Sequence, residues 1–147
     1  MGAVRWAHLL AAALWGAALT ESAAIVVQAP DTPVRLDRAT VVAIADAPPI
    51  VVYTATNTTG DTLDQFTVMA YVFDAQGTLK ARQGAPARRT LDARGTKVST
   101  LVLDGTPIES TDRIVIGVNQ AQKVGSETWW RAELQDAAVA AVRPPKR

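Results

Sequence analysis

The chain has no cysteine and a single histidine in 147 residues. Without cysteine it can build no disulfide scaffold, thiolate metal site or cysteine nucleophile. The one histidine, His8, sits in an apolar N-terminal run, so no Ser-His-Asp triad can be assembled from the rest of the chain. Ser22, Ser99, Ser110 and Ser126 stand in neither a Gly-x-Ser-x-Gly nor a Ser-x-x-Lys setting. No glycine-rich phosphate loop follows a strand pattern. Zinc would have to be held by carboxylates alone, which is rare. Charge of one sign is lacking too: 15 basic and 14 acidic residues leave a net +1, no global footprint for nucleic acid.

Long hydrophobic runs are also missing. The longest, Trp6–Leu19, is broken only by His8 and Gly16. Its 14 residues fall short of the roughly 20 a membrane-spanning helix needs. With Arg5 before it and Ser22-Ala23-Ala24 after it, Met1–Ala24 reads as a secretory signal peptide cut before Ile25. An uncleaved anchor is the alternative. No cysteine is available for acylation, so a lipoprotein is excluded. Removing 24 of the 147 residues leaves 123, with no histidine and only Trp129 and Trp130 of the four tryptophans. The expected location is periplasmic or extracellular. Eleven Arg against four Lys, with many Ala, fits a GC-rich bacterial genome. A chain of this length can be stabilised by packing without covalent staples.

From Val34 onward the pattern is β. Val34–Ala45, Ile50–Asn57, Asp64–Phe73, Thr78–Gln83, Thr96–Leu103 and Arg113–Val124 read as strands, rich in β-branched and aromatic residues. Turn sequences separate them: Asp46-Ala47-Pro48-Pro49, Asn57-Thr58-Thr59-Gly60-Asp61, Asp74-Ala75-Gln76-Gly77, the segment through Gly95, and Asp104-Gly105-Thr106-Pro107. Six to seven short strands at this rhythm predict an all-β, immunoglobulin-like antiparallel sandwich. Residues 25–33 read as a flexible lead, or as an added strand through Ile25-Val26-Val27. Residues 34–142 form the domain and 143–147 a disordered tail. Trp130, Leu134, Ala137, Ala138 and Ala141 recur at helical spacing, predicting a helix over Glu127–Val142 capped by Ser126 or Thr128.

Phe66–Phe73 is apolar on both faces from Val68 onward, where a half-wet strand would alternate. Something must cover its second face. Intramolecular packing by the C-terminal segment is one reading. An open patch of Met69, Tyr71, Phe73, Trp129 and Trp130 that binds a partner protein is the other.

Charged residues offer two further sites. Asp61, Asp64, Asp74, Asp104, Glu109 and Asp112 could supply a carboxylate pair or calcium ligands, but turn chemistry accounts for most of them. Lys80, Arg82, Arg88, Arg89, Arg94 and Lys97 fall within eighteen residues against one acid, Asp92. Such a cluster could bind a polyanion or a membrane surface; equally, it could be a solvated edge that deters strand aggregation. It contains no aromatic to stack a base, so nucleic acid is not expected. Asn57-Thr58-Thr59 matches a glycosylation sequence that the turn explains equally well.

Val51–Leu103 resembles the bacterial FxLYD-type immunoglobulin-like domains, exported sandwiches mostly of unknown function. The resemblance is carried by Asn57-Thr58-Thr59-Gly60, Phe66-Thr67-Val68, Val72-Phe73-Asp74 with Gly77, and Leu91 with the Gly95 turn. Ala70 stands where the family has phenylalanine. The resemblance implies the fold and no catalytic residue, ligand or cofactor. The sequence therefore predicts an exported, non-enzymatic module without cofactor or metal. Its expected partner is another envelope or secreted protein, with polyanion binding as the alternative.

Overall fold

A computed structural model describes residues 19–85 and 90–146. Among these, nine strands and one helix follow in order: β1 (Leu19–Ala23), β2 (Ile25–Val26), β3 (Val34–Ile44), β4 (Ile50–Asn57), β5 (Leu63–Phe73), β6 (Leu79–Gly84), β7 (Thr96–Val102), β8 (Arg113–Lys123), β9 (Thr128–Trp130) and α1 (Leu134–Val142). The strands make an all-β sandwich. The first sheet runs β1-β3-β4-β7. The second runs β2-β8-β5-β6, with β9 also on β8. All pairings are antiparallel except β2 with β8. Each sheet joins consecutive strands to distant ones, with β7 beside β4 and β8 beside β5, as in immunoglobulin-like sandwiches.

Alternation builds the core. In β4, Val51, Tyr53, Ala55 and Asn57 are buried and the residues between them are half-exposed. Tyr53, Leu63, Phe66, Leu91, Leu101 and Ile116 anchor the layer between the sheets. Each such side chain contributes roughly 1.5–3 kcal/mol by leaving water. Asp74 makes its hairpin by accepting bonds at Oδ1 from the amides of Gln76 and Thr78, while Gly77 takes φ +81°.

A second, smaller core lies on the outer side of the second sheet. Leu134, Ala138 and Val142, one stripe of α1, pack on Tyr71, Phe73 and Val115. A nine-residue helix is too short to persist alone, so this packing is what forms it. Arg113 Nη2 closes its C-terminus by donating to the Val142 carbonyl at 2.8 Å. Gly117 makes the close approach possible: a Cβ there would run into Leu134 and the Val27 backbone.

The ends of the chain depart from expectation. Helix over Glu127–Val142 is corrected to Leu134–Val142. Thr128–Trp130 is strand β9 instead, as its β-branched and aromatic residues favour. Glu133 holds the N-cap position with no side-chain bond, so neither Ser126 nor Thr128 caps the helix. Residues 25–33 are tied down rather than a free lead. β2 pairs with Val115-Ile116, and Arg131 Nη1 donates to the Val27 carbonyl. Within the expected signal segment, residues 1–18 lie outside the described residues. Leu19–Ala23 is the edge strand β1.

Candidate functional site

The five residues expected to form an apolar contact patch are not brought together. Tyr71 and Phe73 are buried beneath α1, and Met69 is half-buried against the same cluster. Exposing them would mean peeling off the helix and re-wetting Leu134, Ala138 and Val142. Burial pushes the Tyr71 phenol pKa up, against the pull of Arg82 and Arg131, so it stays protonated. Trp129 faces inward opposite Ala121, packs on the main core and donates from Nε1 to Asp31. Trp130 points the other way and is 62% exposed, alone among the five. The expected patch is therefore corrected to a sealed layer with one exposed indole beside it.

The basic residues turn to separate acceptors. Lys80 on β6 reaches Asp112 Oδ2 at 2.6 Å and the Pro107 carbonyl, in the loop before β8. Arg82 turns to Gln135 on α1, Arg94 donates to the Thr58 carbonyl, and Lys97 to that of Thr90. Arg88 and Arg89 lie outside the described residues.

Among the ion pairs of the described residues, Lys80–Asp112 has a wholly inaccessible carboxylate, while its lysine is 23% exposed. Burial by itself would raise the Asp112 pKa. The bonds from Lys80 and from the Glu109 amide outweigh it and hold the group below its usual value. The bond to Asp112 correspondingly raises the Lys80 pKa.

The other acids serve the fold. Asp74 shapes its turn, Asp61 pairs with Lys123, and Asp104 accepts from Gln83. No three acids or histidines converge to hold a metal ion among the described residues. Asn57, read as a turn residue, is a buried hub. Its amide donates to the carbonyls of Asp61, Leu91 and Asp92, and its oxygen accepts from the Thr59 amide and hydroxyl. That leaves no accessible nitrogen for a glycan.

Among the described residues, the surface left open is the outer face of the first sheet. Cross-strand register lays it out in rows. Arg35, Thr56 and Thr96 form the polar end, where the two threonine hydroxyls bond at 2.9 Å. Asp37, Thr54 and Val98 come next. Val52 lies between Thr40 and Thr100, and Ile50 between Val42 and Val102. Leu19 beside Ile44 ends the series. Val98 is 69% exposed, Leu19 57% and Val102 44%. α1 packs on β8 and β5, on the other sheet. The face is aliphatic at one end, apart from Glu21 beside Val42, and polar at the other. Sequence alternation could find its strands but not its uncovered state.

No family model, no curated protein and no solved structure matches this chain. Among the described residues no helix is long and apolar enough to cross a membrane.

Proposed function

We propose that this protein is an exported, non-enzymatic β-sandwich module that acts by protein–protein contact through the outer face of its first sheet. The observation that carries this reading is the contrast between the two outer faces. One has its aromatic strand sealed by α1, whereas the other presents Val98, Val102 and Ile44 to solvent. An aliphatic face of this kind, graded to a polar end, is what a partner's core-and-rim surface fits. The absence of cysteine, and of histidine beyond the N-terminal segment, supports a binding rather than a catalytic role. The predicted partner is another envelope or secreted protein.

Affinity capture from envelope extract tests the reading, using the secreted chain and its Val98→Arg/Val102→Arg variant. A protein retained by the first and lost from the second supports it. Identical capture by both overturns it.

A further inference from the structure

The outward edge of β3 is protected over Val34–Arg38 by the folded domain itself, and over Ala39–Ile44 by Ala24 and β1. At Leu36 the Gln28 side chain imitates a strand. Its Nε2 donates to the Leu36 carbonyl at 3.0 Å, and its Oε1 accepts from the Leu36 amide at 3.4 Å. A bulge then breaks the register between Asp37 and Thr40, with Arg38 at φ +52° and the Arg35–Asp37 ion pair beside it. Bulges and charges are the usual means of blunting a sheet edge. Ala39 is met by the Ala24 amide at 3.0 Å.

Thr40-Val41-Val42-Ala43-Ile44 has none of these protections. It contains no charge, proline or glycine, and three of its five residues are Val or Ile. Such a segment, left as a bare edge, is a template for another strand. In the full chain Leu19–Ala23 occupies it in register, Leu19 opposite Ile44 through Ala23 opposite Thr40. Every residue of β1 is exposed, and none belongs to either core. Losing β1 therefore costs edge hydrogen bonds but no core. A cut before Ile25 would remove β1 together with Ala24, a single small side chain packed against the main core, while β2 stays on β8.

We propose that Thr40–Ile44 is a strand-acceptor site. Leu19–Ala23 covers it before processing, and an extended segment of a partner protein covers it afterwards. The inference rests on the exported-module reading and says how the partner is held: by strand addition along the edge of the open face. Side-chain preferences follow from β1. The positions of Thr20 and Ser22 border a cavity of about 220 Å³ with Val41, Ala43, Ile108 and Ile114, which suits small residues. The positions of Leu19 and Glu21 lie on the outer face beside Ile44 and Val42, where β1 itself places one aliphatic and one charged side chain.

The test uses the secreted chain, N-terminal mass spectrometry and hydrogen exchange, with a synthetic peptide of residues 19–24 as the probe. The chain is expected to begin at Ile25, with the edge amides of Thr40–Ile44 unprotected. Those amides, Val41 and Ala43 in the register, should gain protection when the peptide is added, and none from a peptide with Pro in place of Ser22, whose amide faces Val41. A secreted chain that retains Leu19, or Thr40–Ile44 amides indifferent to the peptide, would overturn the proposal. Val98→Arg lies off this edge, so it should leave the peptide response intact. Failure of the acceptor site is thereby separable from failure of the open face.

Discussion

The two sheets share one core and differ on their outer sides. β5 carries Tyr71 and Phe73 outward, and that side is buried under Leu134, Ala138 and Val142. β4 and β7 carry Ile50, Val52, Val98 and Val102 outward, and no helix among the described residues covers them. The difference lies in residue size as well as in cover. Two buried aromatics offer a short helix enough area to form on. The lattice of Val, Ile and Thr on the first sheet offers smaller side chains and no aromatic.

The largest expected effect comes from breaking the sealed side. Leu134→Ala should cost about 2–5 kcal/mol, read as a lower urea midpoint, because it empties a buried site in the small core. It should also expose Tyr71 and Phe73 and increase binding of a hydrophobic dye. Asn57→Ala should cost about 1–3 kcal/mol, since the carbonyls of Asp61, Leu91 and Asp92 each lose one of two donors and the Thr59 amide loses its acceptor.

The ion pair behind the β7–β8 loop sets a pH dependence. Asp112 has a folded pKa below its ordinary 3.8. Its stabilisation is therefore present above that value and lost as pH falls through the lower folded one. Lys80 is raised above 10.5, so its share is complete below that value and lost as pH climbs through the raised one. Asp112→Asn should flatten the acid limb of a stability-against-pH curve. The smallest effect on stability belongs to the open side. Val98→Arg should change it by no more than about 0.5 kcal/mol in thermal unfolding, while abolishing partner capture.

Much of this architecture was legible in the sequence because the strands alternate. Ile50–Asn57 and the Asp74–Gly77 hairpin follow from residue period and turn chemistry alone. The need for a cover on Phe66–Phe73 followed from its apolar second face, and Leu134, Ala138 and Val142 supply it. Three features were hidden for physical reasons. β1 is an exposed edge strand with no apolar stripe of its own, and it falls inside the segment read as a leader. β9 has only three residues, and Trp130-Leu134-Ala138 spacing imitates a helix across it. The open face is a property of what does not pack on it, which no single strand's sequence records. Asn57 could have been suspected from its place at the end of a strand with buried Val51, Tyr53 and Ala55 in phase with it.

The most direct test places a photo-activatable residue at Val98 on the open face and, separately, at Trp130, the exposed indole beside the sealed one. Crosslinking is carried out with the secreted protein in its native envelope. The account predicts a discrete partner adduct from position 98 and none from position 130. An adduct from position 130 with none from position 98 would contradict it.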